Sequence, residues 1–324
     1  MPDAQRLAVG ALAAAFPDLD VLLSWVSSLS YLTEHRGLTH SIIMLPLWAL
    51  ALGWLAARLF RRRHDWRGYA VVAALGIAIH ILGDVITSFG TMIFAPLSDA
   101  RYSLDTTFII DLWFSGIIVA GLLVSWYHRT SPVPARAALS VLVVYVGLQG
   151  VLQARAIDIG REFARASGMS DASVRALPRP PTPLNWTVAI RDGEQYRYAH
   201  VNLLRREPVP AGPDAGLIGR IDAAFRPVTH AQWRSGTLFG ETAAEMRIAR
   251  EAWSQAQFGF YRWFAELPML YRIDAGTAPC VWFYDLRFVV PGRDMLPFRY
   301  GLCRNGEGWE RFELLADGLR RALR

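Results

Sequence analysis

His80 and Asp84 lie within an apolar stretch, residues 69–92, that is long enough to cross a bilayer. At a spacing of i and i+4 they share one helix face and could bind one metal ion together. Ionisable side chains at membrane depth are costly and are usually functional. The pair therefore predicts a metal site within a membrane helix; the alternative is a buried histidine satisfied by a neighbouring carboxylate.

Two further groups of potential metal ligands precede this pair. Asp18 and Asp20 follow a proline as Asp-x-Asp, a pattern that is also common in helix caps. His35 and His40 are five residues apart and so do not share a helix face. The alternative to a metal-binding role is that both are ordinary surface residues. We expect Thr39 to cap the first membrane helix, which places His40 in its first turn and His35 in the preceding loop.

Four polar residues are candidates for supporting roles. Arg36 could bind a phosphate or a developing oxyanion, which makes it, with Asp84, a candidate catalytic residue. Thr87 lies on the same helix face as His80. Asp105 and Asp111 precede the third apolar segment, and Asp105 could equally be a helix N-cap. Four residues could hydrogen-bond the metal ligands or form an additional metal site. They are Thr39, Thr87, Asp105 and Asp111.

The composition indicates a membrane protein whose apolar residues are concentrated in the first half. The 324 residues are 53% hydrophobic and only 19% charged, with a mean hydropathy of +0.22. These values are too apolar for an ordinary soluble enzyme. Four segments approach or exceed the ~20 residues that span a bilayer: residues 42–60, 69–92, 108–127 and, the shortest, 137–152.

The positive charge predicts the orientation in the membrane. The chain has no lysine, so arginine supplies all the positive charge counted in the net charge of +6. Four arginines lie between the first two apolar segments, at positions 61, 62, 63 and 67, and Arg58 lies at the end of the first segment. Arg129 and Arg136 lie in the loop between the third and fourth segments. By the positive-inside rule both loops are cytoplasmic, so these arginines are not expected to bind nucleic acid. The candidate ligands and the C-terminal half then lie on the opposite, extracytoplasmic side.

The fold class predicted is an all-α transmembrane helical domain followed by a smaller soluble α+β domain. The predicted boundaries are residues 1–155 for the membrane domain, with about four transmembrane helices, and 156–184 for a polar helix and a proline-rich linker. Residues 185–324 form the soluble domain, with a β-hairpin around 191–194, a helix over 241–264, and strands over 280–290 and 296–303. Gly76, Gly83 and Gly90 recur every seven residues, which suggests a helix-packing stripe.

Cys280 and Cys303 lie nearly symmetrically about a turn at residues 291–294. In an oxidising compartment they could form a disulfide across two strands. Two small buried thiols are the alternative.

The predicted topology brings the candidate ligands to one end of the bundle. Carboxylates and imidazoles gathered so closely would repel one another or stay unsatisfied unless a positive charge lay between them. The residues concerned are Asp18, Asp20, His35, His40, His80 and Asp84. A divalent cation supplies that charge, and zinc, as one to three ions, suits a mixed set of nitrogen and oxygen ligands. Such an ion lowers the pKa of a bound water toward ~7.

The same clusters, in this order, resemble the YdjM family of bacterial membrane-bound metal-dependent hydrolases. The matching strings, within residues 8–125, are Pro17-Asp-Leu-Asp20, His35-Arg-Gly-Leu-Thr-His-Ser41, His80-x-x-x-Asp84-x-x-Thr87-x-x-Gly90, Pro96-Leu-Ser-Asp-Ala-Arg-Tyr-Ser-Leu-Asp105, and Asp111. The family is grouped with zinc-dependent phospholipase C and the S1/P1 nucleases, so the resemblance implies metal-dependent hydrolysis of a phosphoester. Relatives begin with a Met-Asp-x-x-Thr-His stretch, whereas this chain has no histidine before His35, so a ligand is expected to be lost or to lie upstream of Met1.

Three classes of function follow from these observations. The first is a multi-pass hydrolase of the bacterial cytoplasmic (inner) membrane, in contact with membrane lipids and acting on a small-molecule or lipid-linked phosphoester. The second is a transporter or a non-catalytic metal-binding membrane protein, which requires polar residues along a path to the cytoplasm. The third is a scaffold that binds a partner through aromatic residues of the C-terminal domain, namely Trp253, Phe258, Phe260, Tyr261, Trp263 and Phe264.

Overall fold

The computed structural model describes residues 2–169, 171–276, 278–293, 296–306 and 308–323. The chain divides into two compact units, a first that comprises the residues up to Leu104 together with Leu323, and a second that runs from Asp105 to Ala322. The first unit is helical, and the second combines two apolar helices with two β-sheets. A helical N-terminal region followed by a region of β-sheets is therefore confirmed, with a unit boundary about fifty residues earlier than the predicted one.

In its described residues the first unit contains four α-helices and three 3-10 segments. The α-helices are α1 (Asp3–Ala15), α2 (Ser28–Glu34), α3 (Leu45–Leu59) and α4 (Trp66–Val85), and the 3-10 segments are Pro17–Trp25, Leu38–His40 and Arg63–Asp65.

Helix α4 packs against both α1 and α3 through small residues. A side chain at Gly76 would meet the backbone of Gly10, and one at Gly53 would meet the backbone of Ala70. The predicted stripe is wrong for the other two glycines: a Cβ on Gly83 would have no neighbour within 4 Å, and Gly90 lies beyond the end of α4 with φ +87°. Close backbone approach to α4 thus occurs at Ala70 and Gly76 and not at the other two glycines of the stripe.

Helices that could cross a membrane are present in both units. Within the described residues, Arg63–Val85 and Val133–Ala166 are long and apolar enough, and up to four spans result if two bent pairs each count as one. The bent pairs are Asp3–Ala15 with Pro17–Trp25 and Ser28–His40 with Leu45–Leu59. The third predicted segment forms only the 16-residue helix Leu112–Tyr127.

The second unit begins with a helical hairpin of α5 (Leu112–Tyr127) and α6 (Val133–Ala166). The predicted break between a fourth span and a separate polar helix is wrong, because α6 runs unbroken for 34 residues. At 1.5 Å per residue it is ~50 Å long, well beyond the ~30 Å of a hydrocarbon core. Its C-terminal part buries Ala156, Gly160 and Ala164, and Gly160 lies against Val174 and Val188 of the first sheet.

Two antiparallel-rich sheets follow. In the first, strands β1 to β4 are neighbours in chain order and β5 pairs with β3; the second is ordered β10-β9-β8-β7-β6. The strands are β1 (Ser173–Arg179), β2 (Asn185–Asp192), β3 (Gln195–Asn202), β4 (Arg226–Pro227), β5 (Arg234–Thr237), β6 (Pro268–Asp274), β7 (Cys280–Asp285), β8 (Tyr300–Asn305), β9 (Gly308–Leu314) and β10 (Arg320–Ala322). Helices α7 (Leu217–Ala223), α8 (Ala243–Ser254) and α9 (Gly259–Phe264) complete the unit.

The hairpin predicted around residues 191–194 is confirmed by the pairing of β2 with β3. The proline-rich linker is not: Pro178 lies in β1, an edge strand where a missing N–H is tolerated, and Pro180 to Pro183 form the β1–β2 connection. The helix predicted over 241–264 is interrupted at Gln255, whose backbone is extended (ψ 138°). The strand predicted from residue 280 ends at Asp285, which caps a 3-10 turn. Asp294, part of the turn predicted after that strand, lies outside the described residues.

Candidate metal centre

Three segments of the first unit bring the candidate ligands together. Pro17 opens the 3-10 segment after α1, which carries Asp18 and Asp20. His40 ends the 3-10 turn Leu38–His40, and His80 and Asp84 lie one turn apart near the end of α4. The predicted cap by Thr39 is wrong, because α3 begins only at Leu45 and the Thr39 hydroxyl donates to Asp20 Oδ2 at 3.1 Å.

Asp18, His40, His80 and Asp84 form a compact group, here called the four-residue cluster. Each offers one potential ligand atom, and these atoms all lie within 4.8 Å of one another. Nε2 of His40 is 3.1 Å from Nε2 of His80 and 3.0 Å from Oδ2 of Asp84. Oδ1 of Asp18 is 3.8 Å from Nε2 of His40 and 3.5 Å from Nε2 of His80.

These separations fit one tetrahedral metal ion. With metal–ligand bonds of ~2.0–2.1 Å, the ligands of a tetrahedral zinc ion lie ~3.3 Å apart. The His80 Nε2–Asp84 Oδ2 separation is 3.5 Å, and Asp84 Oδ2 is buried without a hydrogen bond from any described residue. A buried carboxylate oxygen facing two imidazole nitrogens is stabilised either by a proton on one of the imidazoles or by a cation among the three groups.

Access to the cluster is through Asp18. The side chain of Asp18 is 62% exposed, whereas that of His40 is fully buried and those of His80 and Asp84 are 14% exposed. The cluster therefore has one open edge, and its other three members are held by the protein interior.

Asp20 and His35 lie behind the cluster and are not members of it. Asp20 Oδ1 is 2.7 Å from Nδ1 of His35, and its Oδ2 is 3.3 Å from Nδ1 of His40. Asp20 Oδ2 also accepts the backbone N–H of Arg36 at 2.9 Å. A carboxylate on the far nitrogen of a histidine fixes the ring's tautomer and orientation, which is the usual outer support of a metal ligand.

Arg36 lies behind Asp84 and has the left-handed backbone angle φ 61°. Its guanidinium is 3.0 Å from Oδ1 of Asp84 and donates to Thr87 Oγ1 at 2.9 Å. The Thr87 hydroxyl in turn donates to the carbonyl of Asp84 at 2.8 Å. Since only 6% of the Arg36 side chain is exposed, its charge is directed at Asp84, whose second oxygen faces the cluster.

Asp105 and Asp111 belong to the second unit, where both have protein partners. Asp105 forms an ion pair with Arg175. Asp111 caps α5 by accepting the N–H groups of Trp113 and Phe114, and it also accepts the hydroxyl of Tyr145. Neither is in the four-residue cluster.

Two aromatic residues of the site's surroundings were not recognised in the sequence. Tyr31 stacks on the ring of His35 with centroids 4.6 Å apart, and Phe89 contacts the same ring edge-on at 5.3 Å. Phe89 also lies beneath the guanidinium of Arg36 at 5.0 Å. Single aromatic residues near a motif are too common in apolar sequences to have indicated this role.

The part of the chain that carries the four-residue cluster also matches a known family. Residues 1–156 match the family described as "YdjM inner membrane protein". The chain is similar to the "Uncharacterized protein YfhP" of Bacillus subtilis (strain 168), with 24% identity over 204 residues. This alignment covers 60% of this chain and 60% of the relative's length. No solved structure matches the chain.

Proposed function

Since residues 1–156 match the YdjM inner membrane protein family, we propose that this protein is a membrane-bound, metal-dependent hydrolase acting on phosphoesters. The observation that carries the proposal is the four-residue cluster, in which two carboxylates and two imidazoles converge on one point. Zinc is the cation proposed, because it suits a mixed set of imidazole and carboxylate ligands. In catalytic zinc sites three protein ligands hold the ion and a water takes the fourth position, and here the exposed Asp18 is the ligand that would give way to the water.

The charges near the cluster support a divalent ion. Asp18, Asp20 and Asp84 supply three negative charges, and the buried guanidinium of Arg36 offsets one of them. With neutral imidazoles the remainder is two negative charges, which a divalent cation neutralises. A metal held by His40, His80 and Asp84 would polarise a phosphoryl oxygen or acidify a water in the position that Asp18 gives up.

The roles proposed for individual residues follow from their contacts. Asp18, His40, His80 and Asp84 hold the ion, and Asp18 lies where a substrate would approach. Asp20 orients His40, and Arg36 orients Asp84. Arg36 is thus proposed as a positioning residue, whereas the sequence alone suggested contact with the substrate's anionic group.

Hydrolysis is favoured over transport by the apolar packing below the cluster. On the same helix, Tyr69, Ala73 and Ile77 are fully buried in an apolar core that includes Val9 and Ala57. A transit path for ions requires polar groups along its length. A site that is open at one end and closed by apolar packing at the other is suited to chemistry at one membrane face.

The face proposed is the outer face of the cytoplasmic membrane, with the C-terminal sheets on the same side. The arginines at positions 58, 61, 62, 63 and 67 support this orientation, because positive loops remain in the cytoplasm. The disulfide between Cys280 and Cys303 supports it independently, because such bonds persist in oxidising compartments.

The experiment that tests the proposal measures metal and turnover on one preparation. The full chain is purified in detergent, its bound metal is determined by elemental analysis, and hydrolysis of bis(p-nitrophenyl) phosphate is followed. We expect close to one equivalent of metal and a metal-dependent rate, with both lost in His80→Ala and retained in His64→Ala, a histidine of the loop before α4. Metal below about one tenth of an equivalent in the wild type, or equal metal in both variants, would refute the metal site.

A further inference from the structure

A groove of 330 Å³ lies between α1 and α3 in the first unit. Both helices pack on α4, at Gly10 against Gly76 and at Gly53 against Ala70. The two helices make few contacts with each other, and the groove occupies the space between them. Its volume lies at the lower end of the ~300–1,000 Å³ that is typical of ligand sites.

The lining of the groove is apolar. All the described side chains that line it are Ala, Val, Leu or Phe, and both ring-bearing ones are phenylalanines, Phe16 and Phe60. Leu12 and Leu55 are 73% and 46% exposed, so the groove is open along its length to the surroundings of the helices. A polar solute would find no hydrogen-bonding side chain there, whereas an alkyl chain would fit without leaving a polar group unsatisfied.

At one end the groove is lined by Leu19, which is adjacent in sequence to residues of the metal centre. This residue lines the groove, while its sequence neighbours Asp18 and Asp20 belong to the cluster and to its support. Phe16, 5.2 Å from the ring of Trp48, lies at the same end. From Leu52 to Phe60 the wall formed by α3 extends ~12 Å at 1.5 Å per residue.

We infer that this groove binds one acyl chain of a phosphoester lipid whose phosphate lies at the four-residue cluster. An amphiphile with its chain between α1 and α3 has its polar end beside Asp18, the exposed member of the cluster. Phosphate oxygens are suitable ligands for a divalent ion. The position of the phosphate rests on the proposed function, whereas the binding of the chain depends on the groove alone.

Photo-crosslinking tests the occupant of the groove directly. The full chain is placed in phosphatidylcholine nanodiscs containing a small fraction of phosphatidic acid with a diazirine in the middle of one acyl chain. After irradiation, labelled positions are mapped by mass spectrometry. We expect labels concentrated on Leu12, Phe16, Leu55 and their groove neighbours, in excess over Leu75, an equally exposed leucine of α4 outside the groove.

A pair of variants on one helix provides the matched comparison. Leu55→Trp fills the groove, whereas Leu50→Trp adds the same ring at a similarly exposed position that does not line it. We expect Leu55→Trp to lower groove labelling about tenfold and Leu50→Trp to leave it unchanged. Ala15→Leu fills the groove from the α1 side and repeats the test if Leu55→Trp does not fold.

The outcomes separate this inference from the proposed function. Uniform labelling of Leu50, Leu75 and the groove residues would mean that bulk lipid alone contacts these helices, and equal effects of the two tryptophan variants would mean the same. Either result overturns the inference even if the protein binds metal and turns over substrate. Groove-specific labelling that persists after the metal is removed by a chelator supports the chain site even if no hydrolysis is found.

Discussion

Nδ1 of His40 lies 3.3 Å from Oδ2 of Asp20, while Nε2 of the same ring lies 3.0 Å from Oδ2 of Asp84. The imidazole is therefore held between a supporting carboxylate and the cluster. With its proton on Nδ1, the ring directs the lone pair of Nε2 at the point where the four ligand atoms converge. Asp20 is itself fixed by the backbone N–H of Arg36 and the hydroxyl of Thr39.

Substitution of Asp20 is expected to weaken metal binding without abolishing it. In Asp20→Ala the four ligand atoms remain, but His40 loses the carboxylate that orients it. We expect metal affinity to fall about 10–100-fold, measured by competition with a chelator of known affinity. Asp3→Ala, at an almost fully exposed carboxylate, is the control. An unchanged affinity in Asp20→Ala would contradict the supporting role.

Arg36 is expected to act on metal binding rather than on substrate binding. Because its guanidinium contacts Asp84 and Thr87, Arg36→Gln should lower metal affinity about tenfold, with partial recovery in Arg36→Lys. At saturating metal, the KM for bis(p-nitrophenyl) phosphate should change little. The opposite pattern, a raised KM with unchanged metal affinity, would restore the role in anion binding that the sequence suggested.

The sequence predicted the part of the site that depends on regular helix geometry. His80 and Asp84 are one turn apart in α4, so their shared face follows from periodicity alone. Which member of each remaining pair faces the centre of the four-residue cluster depends on the irregular backbone of the 3-10 segments and of Arg36 at φ 61°. Asp18 and His40 face inward, and Asp20 and His35 lie behind, a choice that spacing does not encode.

The same distinction applies to the fold. The β2–β3 hairpin has a two-residue turn between well-patterned strands, and its register was therefore predictable. The length of α6 was not, because its apolar first half and polar second half are one helix that changes surroundings rather than two elements. The sequence alone predicts a linker at Pro178, because the tolerance of proline in β1 depends on the strand's edge position, which only the sheet order reveals.

The cysteines are expected to be oxidised in the native protein. Cys280 and Cys303 face each other on β7 and β8, and both are buried. Non-reducing mass spectrometry should find neither thiol alkylated. The double variant Cys280→Ala with Cys303→Ala should lower the free energy of unfolding by about 2–5 kcal/mol. Two alkylated thiols in protein from the membrane would argue against an extracytoplasmic position of the sheets.

The buried His200 predicts a loss of stability at acidic pH. Burial, together with repulsion from Arg179 and Arg234, lowers its pKa to about 3, whereas an unfolded histidine has a pKa of ~6.5. The unfolded chain therefore takes up the proton first as pH falls. The titration of His200 leaves the free energy of unfolding unchanged above pH ~6.5. Between pH ~6.5 and ~3 it lowers that free energy by at most ~1.4 kcal/mol per pH unit.

Denaturant unfolding at about pH 7 and pH 5, followed by tryptophan fluorescence, measures this effect. In the wild type the free energy of unfolding should be lower at the acidic pH. His200→Gln, which can retain a hydrogen bond to Thr187, should show a smaller decrease. Equal decreases in the two proteins would assign the pH dependence to other groups.

Two glycines of α4 offer a matched test of the helix packing that positions His80 and Asp84. A Cβ at Gly76 would lie 2.7 Å from the carbonyl oxygen of Gly10, so Gly76→Ala forces α1 and α4 apart. We expect a loss of about 1–3 kcal/mol in stability and, since α1 leads into the segment that carries Asp18, weaker metal binding. Gly83→Ala meets no atom within 4 Å and, because alanine is the better helix former, should be neutral or stabilising. Thermal unfolding in detergent and metal content of the two variants provide the measurement. Equal behaviour of the two alanines would show that α1 and α4 do not approach at Gly76 in the folded protein.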